Sequence, residues 1–350
     1  MKRQGLLRQA LANAKIHERG MGMKYFTEID AVEGLEAVDE TDGIMLTGEE
    51  CLMRTEAQRL LMQSLLLDPP ETADDARLGQ LFRSQTRLWT EKIAECAQVQ
   101  LCIRLPDRPL DAFLPGTPAE RSRLAAYLSR PDDWVRDRIQ TLHAINPDLS
   151  CRGCRMMIAN PLLFQTFLHA LFETAQGCGV TRLSILLPFV ADSQEVVYLK
   201  GILDGYAQTY AIACTLGIEI ATPRAACIAG ELAGYADAIV FNVDELVQLL
   251  YGMSRHDTRK VISRYLHEQV FRHNPFTEFD EIGIGTLLSI ALEQIRATHP
   301  QVRLSALGQP TLTEKGRKFC RDMGIDMLIG PQHLVHLQTL FRPAQETEEE

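Results

Sequence analysis

The chain has 350 residues, of which 46% are hydrophobic and 23% are charged, and its formal net charge is -10 at pH 7. Its length suits one α/β barrel with extensions, and its composition is ordinary for a globular protein. The acidic balance argues against nucleic acid or an anionic membrane as a partner, because bulk electrostatics would repel both. A small anionic ligand is still compatible with the sequence, since a local arginine cluster can outweigh the negative net charge.

The sequence offers no membrane or secretion signal that we recognise. The first residues, Met1–Arg8, lack the apolar run of a signal peptide. No stretch approaches the roughly 18 apolar residues that a spanning helix needs. The nine cysteines, an odd number, lie mostly in apolar segments, which is typical of reduced, buried thiols. We therefore predict a cytoplasmic protein without a membrane partner.

Short β-rich runs alternate with longer helical patterns, which is typical of a parallel sheet covered by helices. The runs predicted as strands are 23–27, 43–47, 101–105, 183–188, 217–221, 238–242, 304–307 and 327–330. Their number is that of a TIM (β/α)8 barrel. The sequence therefore predicts an α/β protein with such a barrel over residues 21–343. A basic helix or linker at 1–20 and a disordered acidic tail at 344–350 are predicted outside it.

Helix signals fill the connections between these strands. Asn160-Pro161 and Thr222-Pro223 each read as an N-cap followed by a proline in the first turn. Two connections are long enough to be helical insertions. They cover about 51–99, which is charged, and about 106–159, which begins with a proline-rich stretch and ends in an arginine-rich turn.

Charged residues at the predicted strand ends are the candidates for a site, because TIM barrels place their chemistry there. Arg104 ends the third strand, Arg152 lies before the fourth, and Arg255 lies just past the sixth. Converging guanidinium groups would bind a carboxylate or a phosphate. Asp244 and Glu245 follow the sixth strand and could hold a hard divalent cation. An isolated loop arginine is more often a solvated charge, so spacing alone leaves both alternatives open.

Several motifs, in order along the chain, carry a resemblance to a known family. GIEIATPRA at 217–225 resembles the GTMIExPRA turn of the phosphoenolpyruvate-utilising enzymes, which include pyruvate phosphate dikinase, phosphoenolpyruvate synthase and enzyme I of the sugar phosphotransferase system. GIMLTGEECLM at 43–53 is similar to GIGLxRTExMF, IRLPDRPLDAFLP at 103–115 to xRxLDPPLHEFxP, and INPDLSCRGCRM at 145–156 to xNPxxGxRGCRL. ILLPFV at 185–190 is similar to IMxPLV, and AIVFNVDELVQLLYGMSRHD at 238–257 to FFSxGTNDLTQxxxGxSRDD. The resemblance spans about residues 20–345, and several motif versions are those of the dikinase.

The resemblance implies a barrel that exchanges a phosphoryl group between phosphoenolpyruvate or pyruvate and a phosphohistidine domain. In the family, Mg²⁺ bridges the substrate to a glutamate and an aspartate, and arginines bind the phosphate and the carboxylate. Arg104, Arg152 and Arg255 match three of those arginines. A homodimer is also implied by the resemblance.

This sequence departs from the family at its chemistry-bearing positions. The fourth arginine is Gly48, the metal-binding glutamate is Ala221, and the cysteine that transfers a proton aligns with Leu307. The asparagine–aspartate pair is Asp244-Glu245, so we expect weakened Mg²⁺ binding and assign no catalytic residue. Glu219, one layer deeper than Ala221 on the same strand face, is a minor candidate for supporting the metal.

Three hypotheses follow from these departures. The first is a degenerate barrel that binds phosphoenolpyruvate, pyruvate or a related anion as a regulatory or partner subunit. The second is an active enzyme, either a phosphotransferase that works with a phosphohistidine domain on a separate protein or a metal-dependent oxo-acid lyase. The third is a scaffold that uses only the barrel surface, for which the retained arginines would be exposed and far apart.

Overall fold

The computed structural model describes residues 23–29, 42–49, 53–95 and 100–331, and its strands form a closed barrel. The order of the strands around the barrel follows the chain, and β1 closes it by pairing in parallel with β8. The strands are β1 Lys24–Ile29, β2 Gly43–Thr47, β3 Gln100–Arg104, β4 Arg182–Val190, β5 Ala213–Ile220, β6 Ala238–Asn242, β7 Arg303–Leu307 and β8 Met327–Pro331. This architecture confirms the predicted eight-stranded α/β barrel.

All eight predicted strands are present, and the differences lie at their ends. β5 begins at Ala213, four residues before the predicted start. β4 continues past Pro188 to Val190, although that proline was expected to mark the strand end. Phe189, next to the proline, has a φ of 55°, which is uncommon for a bulky residue. The predicted segments 1–20 and 344–350 lie outside the described residues.

Helices fill the connections in the described part of the chain. They are α1 Glu56–Leu67, α2 Ala76–Glu95, α3 Pro118–Leu128, α4 Asp132–Leu142, α5 Cys154–Ala159, α6 Pro161–Gly177, α7 Ser193–Tyr210, α8 Pro223–Cys227, α9 Ala229–Ala233, α10 Val243–Tyr251, α11 Arg259–His267, α12 Gly283–Thr298 and α13 Glu314–Asp322. α1 and α2 lie within the first predicted insertion, and α3, α4 and α5 within the second. No helix among the described residues is long and apolar enough to cross a membrane.

The helix starts follow local capping chemistry. Thr222 Oγ1 accepts a hydrogen bond from the Ala225 N–H at 3.1 Å, with Pro223 at the first position of α8. Asp192 and Glu195 form a reciprocal capping box at the start of α7. Asn160 precedes α6 without capping it, because its side chain instead donates to the Met156 carbonyl at 3.0 Å.

The chain divides into two compact units, Leu46–Glu219, called the central unit, and Met1–Met45 with Ile220–Glu350, called the terminal unit. In the central unit, α2 packs on α6, and the buried Trp89 meets Phe167 edge to face at 5.7 Å between ring centroids. β3 and β4 pair in parallel there, with Arg104 opposite Leu186.

The terminal unit has its own strand pairs and core. β6 pairs in parallel with β7, and β7 pairs in parallel with β8. The buried Ile239, Leu304 and Leu328 come from these three strands. α12 packs against α9, and Phe279 contacts Phe319 at a centroid distance of 4.8 Å.

Candidate functional site

Buried charge is concentrated at one place in the described part of the chain. All the charged side chains that it buries belong to the central unit, and we call them the central cluster. They are Glu49 (8% exposed), Arg104 (8%), Asp107 (3%), Arg152 (6%) and Glu219 (0%). Removing an ion from water costs several kcal/mol even in a relaxed protein. Such a group is therefore stable only if its members pair with one another.

The fold brings these residues together at or near strand ends. Arg104 is the last residue of β3, and Asp107 follows three residues later. Glu219 is the next-to-last residue of β5, and Glu49 comes directly after β2 and the turn residue Gly48. Arg152 lies two residues before α5, whose N-cap is Gly153. The C-terminal strand ends are where a barrel of this kind places its chemistry.

Asp107 is the anchor of the central cluster. Its Oδ2 accepts a hydrogen bond from Nη2 of Arg104 and another from Nη2 of Arg152, each at 2.6 Å. Its Oδ1 accepts from Nε of Arg152 at 3.1 Å. Two guanidinium groups therefore converge on one carboxylate oxygen, the arrangement by which arginines recognise anions.

Glu219 forms a bidentate ion pair with Arg104. Arg104 Nε lies 2.6 Å from Glu219 Oε2, and Arg104 Nη2 lies 3.0 Å from Glu219 Oε1. Burial alone would lower the pKa of Arg104, but Glu219 and Asp107 raise it well above its ordinary value. The sequence placed Glu219 deep in the barrel as a minor metal candidate. The structure places it there as the partner of an arginine.

Glu49 enters the central cluster through the backbone of Asp107. Its Oε1 accepts the Asp107 N–H at 2.7 Å. Its Oε2 is buried and has no hydrogen-bond partner among the described residues. Burial raises the pKa of Glu49 from its ordinary value, with Arg104 opposing the change. The neutral carboxylic acid is therefore favoured more than at an exposed glutamate.

An aromatic ring, that of Phe189, lies against the Arg152 guanidinium. The Arg152 guanidinium carbon lies 4.3 Å from the ring centroid of Phe189, and that of Arg155 lies 5.2 Å from it, within cation–π range. Phe189 holds a φ of 55°, a strained conformation that costs on the order of 1–3 kcal/mol. Gly153, with a φ of 52°, passes so close that a Cβ there would lie 2.7 Å from the Phe189 Cβ. Arg152 is thus held in place by backbone geometry as well as by charge.

Gly48 stands where the resemblance places an arginine, and the space beside it is filled. Its N–H donates to the Arg104 carbonyl at 2.8 Å. A Cβ at this position would lie 2.8 Å from Pro106 Cδ. Pro106 itself occupies the leucine position of the quoted motif. The missing arginine therefore cannot be restored by a single substitution without moving Pro106.

The terminal unit holds a second, more open group, which we call the α10 cluster: Asp244, Glu245, Gln248 and Arg255. Arg255 Nη2 lies 2.7 Å from Asp244 Oδ1, and their side chains are 34% and 25% exposed. Asp244 Oδ1 also accepts the Gln309 N–H at 3.2 Å. Asp244 and Glu245 lie in the first turn of α10, where the helix dipole favours acidic residues.

Few side chains around the α10 cluster are available as metal ligands. Asp244 is engaged by Arg255 and Gln309, and Glu245 Oε2 lies 3.4 Å from Gln248 Nε2. Ala221 and Leu307, the positions of the family's metal-binding and proton-transferring residues, are buried and apolar. No group of three or more His, Cys, Asp or Glu residues in the described ranges is arranged to hold a metal ion.

The structure thus brings together two of the three predicted anion-binding residues, Arg104 and Arg152, in the central unit. It pairs the third, Arg255, with the predicted metal ligand Asp244 in the terminal unit. Sequence reasoning missed Glu49, Asp107 and Phe189 and did not predict the pairing of Glu219 with Arg104. A signal existed for the two glutamates, because they stand where the quoted family motifs have threonine and methionine.

Comparison with known proteins adds relatives of known activity. The chain is 31% identical over 284 residues to a pyruvate, phosphate dikinase of Rickettsia conorii, covering 77% of this chain and 30% of that protein. It is 29% identical over 297 residues to a pyruvate, phosphate dikinase of Rhizobium meliloti, covering 81% of this chain and 33% of that protein. The chain therefore spans about a third of the length of these relatives.

A solved structure that matches shares less sequence identity with this chain than the dikinases do. An HpcH/HpaI aldolase from Desulfitobacterium hafniense DCB-2 has a TM-score of 0.39 and 12% identity, covering 95% of this chain and 93% of that chain. The family described as "PEP-utilising enzyme, PEP-binding domain" matches residues 12–340. Since that match takes in nearly the whole chain and agrees with the barrel and its motifs, the protein belongs to the phosphoenolpyruvate-utilising enzyme family.

Proposed function

We propose that this protein binds phosphoenolpyruvate, pyruvate or a related small anion at the central cluster without efficient phosphotransfer, as a regulatory or partner subunit. The observation that carries the proposal is the convergence of Arg104 Nη2 and Arg152 Nη2 on one oxygen, Asp107 Oδ2, at 2.6 Å each. A ligand oxygen that enters beside Asp107 meets both guanidinium groups. Burial strengthens such contacts, because water competes less for the donors. Arg255 stays a predicted anion-binding residue.

The replaced positions argue for binding rather than turnover. General acid–base catalysis typically contributes on the order of 10² to 10⁴ in rate, and the buried Leu307 cannot transfer a proton. Ala221 supplies no metal ligand, so Lewis-acid help worth several kcal/mol is weakened. The burial of Arg104 and Arg152 also counts against a scaffold that uses only the barrel surface.

The test is ligand binding to the purified chain by isothermal titration calorimetry and thermal shift. Phosphoenolpyruvate, pyruvate and inorganic phosphate are the probes. We expect at least one of them to bind and to raise the melting temperature. Arg152→Lys keeps the charge but loses the fork, so we expect at least about tenfold weaker binding, or 1.4 kcal/mol. Arg182→Gln, at an exposed arginine of the same unit, is the matched control and should bind as the wild type does.

The second candidate function is an active enzyme with a rebuilt metal site, which the adjacent carboxylates of Asp244 and Glu245 favour. In this alternative Mg²⁺ would bind weakly through those two residues, and a separate phosphohistidine protein would supply the phosphoryl group. A metal-dependent oxo-acid lyase would need the same ligands. Mg²⁺ titration of the wild type and of Asp244→Asn separates this alternative from a binding subunit, because only an active site of this kind predicts a metal affinity that the variant loses.

Assembly and location are proposed from family membership and composition. A homodimer is the proposed state, and light scattering after size-exclusion chromatography measures it directly. Cytoplasmic localisation agrees with the described cysteines, which are free thiols. A fractionation of the source cells tests it.

A further inference from the structure

We infer that Glu219 is a built-in counter-ion for Arg104 and makes the central cluster select a small monocarboxylate over ligands that carry a phosphoryl group. This inference rests on the proposed function and specifies its ligand class. Glu219 would then be a specificity-determining residue. It would act by neutralising the arginine on which the ligand depends.

The first step is the geometry of the Arg104 guanidinium. Nε and Nη2 are committed to Glu219 and Asp107 at 2.6–3.0 Å. Within the described part of the chain, Nη1 is the Arg104 nitrogen that makes no hydrogen bond. A ligand can therefore reach Arg104 through one nitrogen, whereas an unpaired guanidinium presents five N–H donors. That remaining edge suits a single carboxylate oxygen better than a phosphoryl group, whose three oxygens call for several donors.

The second step is the charge of the central cluster. Two arginines face two carboxylates, Asp107 and Glu219, in direct contact. Glu49 adds a third carboxyl whose second oxygen has no partner among the described residues. The arginines consequently carry little excess positive charge. A monocarboxylate adds one negative charge to this buried group, while a phosphorylated carboxylate adds two or more and meets stronger repulsion from Glu219.

The third step is that β5, the strand of Glu219, carries no positive charge that would offset the negative charge added by a phosphorylated ligand. Ala221, two residues on, presents a methyl group, so this strand end gives a metal no carboxylate ligand. Gly48 presents no side chain, and Pro106 closes the space beside it. The carboxylate of Glu219, two residues before Ala221 in sequence, binds an arginine. Ala221 therefore removes a place for a cation, and Glu219 occupies donors of an anion-binding arginine.

The experiment measures selectivity with pyruvate and phosphoenolpyruvate, which share a carbon skeleton and differ by the phosphoryl group. Isothermal titration calorimetry on the full chain at pH 7.5, without divalent metal, gives both dissociation constants. We expect the wild type to prefer pyruvate by at least about tenfold. In Glu219→Gln, which is nearly isosteric and uncharged, the ratio should shift toward phosphoenolpyruvate by at least about tenfold. Glu293→Gln, on an exposed face of α12, removes the same charge and should leave the ratio unchanged.

The outcomes separate this inference from the proposed function. If neither ligand binds the wild type, the counter-ion inference fails, and the proposed function fails with it when inorganic phosphate does not bind either. If the wild type binds phosphoenolpyruvate as tightly as pyruvate, or if Glu219→Gln keeps the wild-type ratio, the counter-ion inference is wrong and anion binding stands. If Glu219→Gln does not fold, Glu219→Asp is the replacement variant, because it keeps the negative charge and shortens the side chain by one methylene group. It should keep the pyruvate preference, and loss of that preference in a folded Glu219→Asp protein overturns the inference.

Discussion

The central cluster and the α10 cluster hold similar residues in opposite settings. Arg104 and Arg152 are buried, Arg104 paired with Glu219 and Asp107 and Arg152 paired with Asp107. Arg255 is about one-third exposed and shares a single oxygen of Asp244. A buried charge must be balanced by the protein itself, whereas an exposed one is balanced largely by water and salt. The difference means that retained arginines of one family do not have equal energetic roles in this chain.

The largest expected effect contrasts one arginine from each cluster. Arg104→Met leaves Glu219 buried without its partner, and breaking a buried pair in this way typically costs roughly 3–5 kcal/mol. Arg255→Met breaks a partly exposed pair, and such pairs contribute roughly 0.2–1 kcal/mol. Urea denaturation followed by circular dichroism measures both free energies of unfolding. Equal losses in the two variants would contradict the proposed difference between the clusters.

A double variant sharpens the same contrast. Replacing a buried ion pair by apolar residues is often neutral or stabilising, even though removing one partner is costly. Arg104→Met with Glu219→Met should therefore recover much of the stability that Arg104→Met loses. The double-mutant cycle should give a coupling energy on the order of 1–3 kcal/mol. A double variant that is only the sum of its single losses would mean that the two side chains do not act as a pair.

Backbone packing beside the central cluster gives the next largest effect. Gly48→Ala places a Cβ 2.8 Å from Pro106 Cδ, and overpacking of this kind typically costs about 1–3 kcal/mol. Gly201→Ala in α7 meets nothing within 4 Å and should stabilise the helix by up to about 1 kcal/mol. The melting temperatures of the two variants should therefore move in opposite directions. A Gly48→Ala protein as stable as the wild type would show that Pro106 yields easily.

The barrel was predictable because its signals are local and repeated. Each strand is a short apolar run between turn residues, and Asn160-Pro161 and Thr222-Pro223 mark helix starts at the observed positions. The end of β4 was predicted wrongly, because Pro188 was expected to end the strand and instead lies within it. Strand periodicity gave no warning that Phe189 would adopt a positive φ.

The site was predictable only in part, because its pairing is not local. Arg104 and Arg152 were found from motifs, but their joint contact with Asp107 depends on how distant segments meet. Arg104 and Glu219 are 115 positions apart in sequence and become direct partners. No spacing rule connects them. Glu219 was recognisable as a departure from the family turn, whereas its role required the position of the β3 side chain.

The pH dependence of stability tests Glu49, the carboxyl of the central cluster whose second oxygen is buried without a partner among the described residues. Its pKa is raised by burial above the ordinary value of 4.5. The stabilisation from its bound proton is complete below that value and is lost as pH rises through the folded-state pKa. The free energy of unfolding of the wild type minus that of Glu49→Gln should therefore fall as pH increases from 4.5. Its slope cannot exceed about 1.4 kcal/mol per pH unit for one group.

Other carboxylates titrate in both proteins and largely cancel in that difference. Glu293→Gln is the matched control, because its glutamate is exposed. The corresponding difference for Glu293→Gln is the baseline against which the change for Glu49→Gln is judged. A flat difference for Glu49→Gln, or one that rises with pH, would mean that Glu49 is not preferentially protonated in the folded protein.

The smallest expected effect lies in the α10 cluster. Asp244→Asn keeps the shape of the side chain and its acceptor for the Gln309 N–H, now seen at 3.2 Å, but removes the charge beside Arg255. Partly exposed ion pairs contribute roughly 0.2–1 kcal/mol, and favourable charge at a helix N-terminus contributes roughly 0.3–1 kcal/mol.

Both contributions are screened by salt, so the loss measured by urea denaturation at 20 mM NaCl should shrink at 1 M, where the Debye length is about 3 Å. Loss of the Arg104–Glu219 pair should respond far less to salt because that pair is buried. If both losses depend on salt alike, the central cluster is more accessible to water than its burial implies, and the basis for its selectivity is removed.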